Sequence, residues 1–202
     1  MDIRVCSTTS APELARIHAE SLEESFLATL GQPFLRQLYR AMAEDPSVSL
    51  FCAVADDRIV GFVSGGTGLK KIYLRLLKRP FSLLWSLRYA LLSKTSLKGI
   101  IEILFYSPKP ASEPVEKPAI PSQFELYSIG VSEEFRGTGI AVALYSSLVA
   151  DFESRGAAQF KVMVGEKLER AHRFYKKMGA TPTAILNLHG SNNSVLYIHN
   201  LK

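Results

Sequence analysis

The chain has 202 residues, of which 47% are hydrophobic and 21% are charged, and its formal net charge is +5. These values indicate one globular domain, residues 1–202, with a sizeable core. No apolar run approaches the ~20 residues that span a bilayer, and the N-terminus lacks a signal-peptide pattern, so we expect a cytoplasmic location.

The two cysteines, Cys6 and Cys52, lie in apolar, strand-like runs and lack the C-x-x-C spacing of redox and zinc motifs. Two thiols of this kind indicate neither a disulfide framework nor a metal site. We therefore expect both to be buried, reduced core thiols, and we expect no bound metal.

The first part of the chain predicts a short strand at residues 3–6 and a helix over about residues 11–22, with a proline in its first turn. We interpret His18 as an ordinary residue of this helix. A second helix is predicted over residues 33–43 from apolar residues at spacings of three and four. Its apolar residues include Phe34 and Tyr39, and packing of the helix against the sheet is one interpretation of them.

Two strands follow, over residues 50–55 and 59–65, joined by a hairpin turn over residues 56–58. Residues 69–121 then interrupt the alternation of strands and helices. Helices are predicted over residues 70–79, 81–92 and 96–106, and five prolines between residues 108 and 121 indicate an extended loop.

The insertion, residues 69–121, is strongly basic. Residues 69–106 contain eight basic and one acidic residue, so their charge exceeds that of the whole chain. Three interpretations remain open: a wall of a substrate site, a homodimer interface, and a contact with a membrane surface. Nucleic-acid binding is not expected, because no module pattern accompanies the charge.

The segment after the insertion predicts a strand over residues 124–131, a tight loop rich in glycine, and a helix over residues 141–154. Gly137 and Gly139 let the backbone approach a ligand closely, and the first N–H groups of a helix have no intrahelical partner. Together these features predict a phosphate cradle. The loop matches neither the P-loop nor the dinucleotide-binding pattern.

The remainder of the chain predicts one more strand–helix pair and a hairpin. Gly156 is the expected C-terminal cap of the helix behind the loop. A strand over residues 159–164 and a helix over residues 168–178 follow, and strands over residues 183–188 and 195–200 complete the pattern.

Two motifs resemble those of a known family. The pattern R-x-x-G-x-A, from Arg136 to Ala141, resembles the acetyl-CoA signature of the GNAT superfamily of N-acetyltransferases. Further on, A-H-R-F-Y-K-K-M-G-A, from Ala171 to Ala180, resembles the family's second motif. The resemblance implies an α/β (α+β) fold, in which a mixed sheet splays at its central strand and is flanked by helices, with a helical insertion before that strand.

The resemblance also implies that acetyl-CoA is the acyl donor and that an amine attacks its thioester directly. Tyr175 matches the family tyrosine that protonates the departing thiolate. The backbone of Ile129 and Val131 is expected to pair with the pantetheine arm. The pyrophosphate is expected to bind, through backbone N–H groups and the Thr138 hydroxyl, to Arg136, Gly137, Thr138, Gly139, Ile140 and Ala141.

A catalytic base is harder to assign. Glu125 is the candidate, because strand alternation places it on one face with Tyr127, Ile129 and Val131. A solvent-facing strand glutamate is the alternative, and Tyr127 is a second polar group at this point and a candidate substrate contact. The resemblance also implies that the helix over residues 33–43 lies beside the acceptor pocket, so Phe34 and Tyr39 are further candidates for substrate contact. The family often has an asparagine where this chain has Leu168, which is three residues before Ala171.

Because Leu168 stands where the family asparagine usually contacts pantetheine, Gly165 and Glu166 are candidates to make part of that contact.

Three functions compete. The first is acetylation of a primary amine of a small molecule, such as an amino sugar or a nucleotide-linked amino sugar. A basic insertion would attract a substrate that carries phosphate. The second is a protein or peptide N-acetyltransferase, which needs an open groove. The third is a non-catalytic module that binds acyl-CoA.

Overall fold

The computed structural model describes residues 1–77, 109–110, 122–189 and 192–201. The predicted helices over residues 81–92 and 96–106 lie outside this part of the chain. Among the helices that the structure does describe, none is long and apolar enough to cross a membrane.

The elements before the insertion, and its first helix, are β1 (Asp2–Val5), α1 (Ala11–Ser21), α2 (Phe26–Thr29), α3 (Gln32–Ala43), β2 (Val48–Ala55), β3 (Arg58–Gly66) and α4 (Leu69–Leu77). The later elements are β4 (Lys109–Pro110), β5 (Glu125–Val131), α5 (Ile140–Ser154), β6 (Gln159–Gly165), α6 (Glu169–Lys177), β7 (Thr181–His189) and β8 (Asn192–Asn200). Short 3₁₀ turns precede α1 and α5.

Within the described residues the strands form one sheet in the order β1-β2-β3-β5-β6-β8-β7-β4. Neighbouring strands are antiparallel except for β5 and β6, which are parallel. That pair is joined only at Glu125–Lys161 and Leu126–Val162, and beyond these residues the two strands diverge. The predicted mixed sheet, splayed at its central strand and flanked by helices, is confirmed.

Helices cover both faces of the sheet. On one face, α1 and α3 bury side chains such as Leu14 and Leu35 together with Phe62 of β3. On the other face, α5 packs Leu144 against Val63. Phe62 and Val63 are adjacent in β3 and enter different cores because successive strand residues point to opposite faces.

The hairpin between β2 and β3 forms as its sequence predicts. Asp56 and Asp57 have φ angles of 48° and 58°. Two consecutive residues with positive φ match the twist of the flanking strands in a two-residue turn. Gly156, with φ of 75°, follows the end of α5 and confirms the predicted cap.

Strand β5 contains a bulge that changes the predicted alternation of its side chains. The register with β3 shifts so that Ser64 pairs with Ser128 while Gly65 pairs with Leu126, which leaves Tyr127 as the extra residue. Tyr127 packs on the α1–α3 side, whereas Ile129 joins the core beneath α5. The prediction that Glu125, Tyr127, Ile129 and Val131 share one face is therefore wrong.

The first helix of the insertion packs against the domain. Ile72 and Leu76 of α4 are buried in the core formed by α1 and α3. Arg75 lies 2.6 Å from the buried carboxylate of Asp45, which follows α3. At the other end of the insertion, the two residues of β4 pair with β7 and extend the sheet.

The prediction of reduced thiols is wrong, because Cys6 and Cys52 form a disulfide. Antiparallel pairing of β1 with β2 brings their Cα atoms to 5.6 Å, which is within the range for disulfides. The two residues are 46 positions apart, and only the strand pairing brings them together. Disulfides are uncommon in reducing compartments, so the cytoplasmic location stays a prediction.

Reduction of the disulfide should destabilise the protein, because the bond restricts the unfolded chain over 46 residues. We expect the free energy of unfolding to fall by roughly 2–4 kcal/mol. Urea denaturation with and without a phosphine reductant measures the loss. A Cys52→Ser variant is the control, and its stability should not respond to the reductant. Two reactive thiols in the denatured, unreduced wild-type chain would contradict the disulfide.

Candidate active site

The loop that follows β5 has the backbone geometry expected of an anion cradle. Gly137 and Gly139 have φ angles of 82° and 88°, a region that side-chain-bearing residues rarely adopt. Gly139 caps α5, and the first intrahelical bond of that helix runs from Ala143 N–H to the Gly139 carbonyl. The N–H groups of Ile140, Ala141 and Val142, the first residues of α5, therefore have no intrahelical partner and lie at the positive end of the helix dipole.

The side chains of this loop do not all act as predicted. The Thr138 hydroxyl donates to the Phe135 carbonyl at 2.6 Å, and so it braces the loop. Arg136 lies 4.0 Å from the Glu133 carboxylate and also lines the pocket beside the loop. The prediction that the Thr138 hydroxyl contacts phosphate is not supported by this arrangement.

A pocket of about 540 Å³ lies where β5 and β6 diverge. Its lining comes from β5, the glycine loop, the start of α5, the end of β6, α6, the end of α1, and the segment from there into α2. The loop and Tyr175, which are distant in sequence, line the same pocket. Arg170 and Lys177 of α6 add positive charge to that lining.

Among the residues that the structure describes, the edge of β5 opposite β3 is unpaired beyond Leu126, and this free edge faces the pocket. Ser132 follows β5, and its N–H donates to the carbonyl of Val60 in β3. Residues 60 and 132 are therefore a hydrogen-bonded pair of the antiparallel ladder. Alternation along an antiparallel ladder then directs the backbone groups of Ile129 and Val131 away from β3. Beyond Leu126 no residue of β6 is paired with this edge.

Tyr175 is buried in the wall that α6 contributes, and its ring packs against Phe174, Tyr145 and Tyr197. Burial raises the pKa of the Tyr175 phenol, because the charged phenolate would lose its hydration. The phenol therefore holds its proton throughout the neutral pH range.

Leu168 also lines the pocket, at the N-terminal end of α6. The carbonyl oxygens of Gly165 and Glu166 both lie 3.1 Å from His172 Nε2. These carbonyls are thus engaged with the α6 helix, and the Glu166 carboxylate accepts from Asn193.

The opposite wall contains side chains that the sequence does not identify as functional. His18, Ser25 and Ser128 line it, from α1, the turn before α2 and the bulged part of β5. His18 is only 1% exposed. We interpreted this histidine from the sequence as an ordinary helix residue, because no local pattern marks a contact between a helix and a strand far along the chain.

Glu125 is not among the residues that line this pocket. Its carboxylate lies 3.5 Å from Lys161 Nζ on the adjacent strand. Burial raises the pKa of Glu125, and the nearby Lys161 ammonium opposes that shift. Tyr127 does line the pocket, and its hydroxyl accepts a hydrogen bond of 2.9 Å from Gly68 N–H, just before α4.

The two substrate candidates on α3 lie elsewhere. Phe34 and Tyr39 are 5% and 1% exposed and belong to the core on the α1–α3 face. Neither lines the pocket. Both lie on the buried face of an amphipathic helix, which agrees with the alternative interpretation that they pack against the sheet.

A family model described as Acetyltransferase (GNAT) family matches residues 96–180. The match includes the glycine loop and Tyr175, the two features that meet in the pocket. Residues 96–180 of this chain, 85 of its 202 residues, are therefore similar to the GNAT family of acetyltransferases, as the two sequence motifs predicted. This match indicates an N-acetyltransferase.

Solved structures share the GNAT fold over the whole chain. An N-acetyltransferase from Staphylococcus aureus Mu50 has a TM-score of 0.63 at 13% identity, covering 100% of this chain and 98% of that one. Ard1 from Thermoplasma volcanium has a TM-score of 0.60 at 19% identity, and the match covers 100% of this chain and 97% of that one. The ribosomal-protein-S18-alanine N-acetyltransferase from Escherichia coli has a TM-score of 0.56 at 13% identity, and the match covers 100% of this chain and 94% of that one.

At these identities the structural likeness concerns the fold alone. A search of curated protein sequences returned no match. The GNAT family generally uses acetyl-CoA as its acyl donor.

The left-handed backbone at Gly139 supplies a test of the cradle. Gly139→Ala should weaken binding of coenzyme A by roughly tenfold or more, because the strained loop can no longer present its N–H groups. Gly156→Ala is the matched control, since Gly156 has a similar φ of 75°, open space around its Cα, and a position at the other end of α5. Isothermal titration calorimetry with coenzyme A measures both variants.

Thermal melting shows whether each variant is folded. Both substitutions should lower the melting temperature, and only Gly139→Ala should lower the affinity. Equal affinities in two folded variants would overturn the assignment of the loop as the cradle.

Proposed function

We propose that this GNAT enzyme transfers an acetyl group from acetyl-CoA to a primary amine of a small molecule, with an amino sugar or nucleotide-linked amino sugar as the preferred acceptor class. The observation that carries the reaction is the meeting of the glycine loop, the free edge of β5 and Tyr175 in one pocket. The acceptor class rests on the insertion, whose first helix is fixed beside Tyr127.

The loop end of the pocket suits the pyrophosphate of the donor. Backbone N–H groups of Gly137, Gly139, Ile140 and Ala141 and the charge of Arg136 are the groups that hold it. Because these donors are fixed by the backbone, little ordering is needed when an anion binds. Arg170 and Lys177, which line the same pocket, add electrostatic attraction.

The pantetheine arm has amide groups, and β5 offers matching partners. Ile129 and Val131 direct their N–H and C=O groups into the gap, so the arm can add to β5 as a further strand would. This alignment runs from the glycine loop toward the bulge at Tyr127 and Ser128. The acetyl group of the donor supplies the thioester carbonyl that the amine attacks.

Tyr175 has the protonation state required of a general acid. Its raised pKa means that the phenol is protonated at neutral pH and can give its proton to the departing thiolate. The proton released by the amine must leave by another route. An alkylamine with a pKa near 10.4 is neutral in only about one molecule in 10³ at pH 7, so a base would help such an acceptor.

Tyr175→Phe should lower kcat by roughly 10²-fold or more and leave coenzyme A affinity nearly unchanged, because the ring is kept and only the proton donor is lost. The readout is release of free coenzyme A thiol from acetyl-CoA with an amine acceptor. Since the pKa of Tyr175 is raised, its deprotonation should cause no loss of activity below about pH 10. A fully active variant would remove Tyr175 from the mechanism.

Glu125 stays the proposed base, acting through water, and its pairing with Lys161 allows a controlled test. If Glu125 is the base, Glu125→Gln should reduce kcat strongly and Lys161→Gln should not. If the carboxylate only pairs with Lys161, both variants should show similar, small losses of stability and full activity. The pH profile of kcat for Glu125→Gln, compared with wild type, measures the difference.

The insertion supports a walled acceptor site. Arg75 fixes α4 to Asp45, and Gly68 donates to the Tyr127 hydroxyl, which lines the pocket. We propose that residues 69–121, which begin beside Tyr127, form a wall of the acceptor site, and that residues 1–202 are a single domain. A protein or peptide acceptor is the second candidate, because the structural likeness extends to the ribosomal-protein-S18-alanine N-acetyltransferase.

An acceptor panel separates the candidates. Thiol release is measured with nucleotide-linked amino sugars, free amino sugars, polyamines and N-terminal peptides, each with Tyr175→Phe as control. Turnover restricted to the sugars supports the proposal, and turnover restricted to peptides supports the second candidate. Binding of acetyl-CoA without turnover on any acceptor would contradict both and favour a non-catalytic module.

A further inference from the structure

A hydrogen-bonded chain of buried and half-buried side chains runs along one side of the pocket. It begins at His18, whose Nδ1 lies 2.6 Å from the Tyr39 hydroxyl and whose Nε2 lies 3.0 Å from Ser25 Oγ. The Tyr39 hydroxyl lies 3.2 Å from Ser128 Oγ, which is itself 2.8 Å from Ser64 Oγ. The chain thus connects α1, the turn before α2, α3, β5 and β3.

The chain reaches the pocket at several points. His18, Ser25 and Ser128 all line the pocket, whereas Tyr39 connects them from inside the core. We call the part of the pocket lined by His18, Ser25, Tyr127 and Ser128 the acceptor end. It lies beyond Ile129 and Val131 along β5 when counted from the glycine loop, which is where the reacting end of the donor arrives under the proposed function.

The imidazole suits this connecting role. Burial lowers the pKa of His18 to about 4, so the ring is neutral at pH 7. A neutral imidazole donates from one nitrogen and accepts at the other, so both of its hydroxyl partners can be satisfied at once. Phe62 of β3 packs against both the His18 and Tyr39 rings, with centroids 6.1 and 5.1 Å away.

The contacts of Ser25 and Ser128 explain why the chain matters to shape. Ser25 Oγ also accepts from Ala28 N–H, and so it caps α2 and fixes the turn that forms one wall. Ser128 follows the bulge residue Tyr127, and a bulge redirects the side chains around it. The His18 ring therefore holds the two walls of the acceptor end at a fixed separation.

We propose that His18 is a positioning residue for the acceptor amine, setting the geometry of the acceptor end through Ser25 on one side and through Tyr39 and Ser128 on the other. This inference rests on the proposed function, because it assumes that an amine binds at this end. The role of His18 concerns the affinity and orientation of the acceptor amine. Binding of the donor at the glycine loop does not depend on this role.

The test compares His18→Leu with His199→Leu in the full chain. His199 is the matched control, since its Nδ1 lies 3.0 Å from the Tyr145 hydroxyl and neither residue lines the pocket. Using an amine that gives turnover with wild type, we expect the KM for the amine to rise about tenfold in His18→Leu, as loss of buried hydrogen bonds predicts. The Kd for coenzyme A should be unchanged in both variants.

Two further variants separate positioning from general loss of packing. Tyr39→Phe keeps the ring and removes the hydroxyl, so it should raise the amine KM as well and should not add fully to His18→Leu. His18→Asn retains a polar group near the Nδ1 position and should recover part of the acceptor affinity. Unchanged amine KM in Tyr39→Phe and in folded His18→Leu would overturn the proposal.

A measurement independent of turnover distinguishes this proposal from the proposed function. Hydrogen exchange followed by mass spectrometry should show faster exchange in both residues 22–31 and residues 125–131 of Tyr39→Phe and His18→Leu, relative to His199→Leu. Unaltered exchange in these two segments would overturn the role of His18, even if no amine gave turnover. Faster exchange without any turnover would contradict the proposed function alone.

Discussion

The structure depends on the divergence of β5 from β6. The two parallel strands are paired at only two residue pairs before they diverge. A strand edge that has no neighbour leaves its N–H and C=O groups without partners, and buried backbone groups need partners. The gap is therefore both a space and a set of directed hydrogen-bonding groups, and the glycine loop opens at one end of it.

The divergence is held open by packing on both faces of the sheet. The cores on the α1–α3 face and the α5 face are separate, and β3 contributes alternate side chains to each. Because each face of the sheet packs against its own helices, closing the gap would require both cores to shift. Well-packed interiors resist such shifts, so the pocket is a stable feature of the fold.

The bulge at Tyr127 shapes the chemistry at the end of the gap. It brings Tyr127 and Ser128 to the α1–α3 side while Ile129 and Val131 pack on the other side. A hydroxyl such as that of Ser128, placed against a core, requires a partner. Tyr39 and His18 supply that partner chain, which is why a histidine is buried in an otherwise apolar helix face.

Features that depend on local geometry could be predicted from the sequence. Gly137 and Gly139 lie in a left-handed region that few other residues adopt, so the loop and helix start are predictable from the residues themselves, as is the turn at Asp56. The tertiary structure decided the rest. Strand pairing joins Cys6 to Cys52, the bulge moves Ile129 off the predicted face, and contacts between distant elements bring His18 to the pocket, because these outcomes depend on residues far apart in the chain.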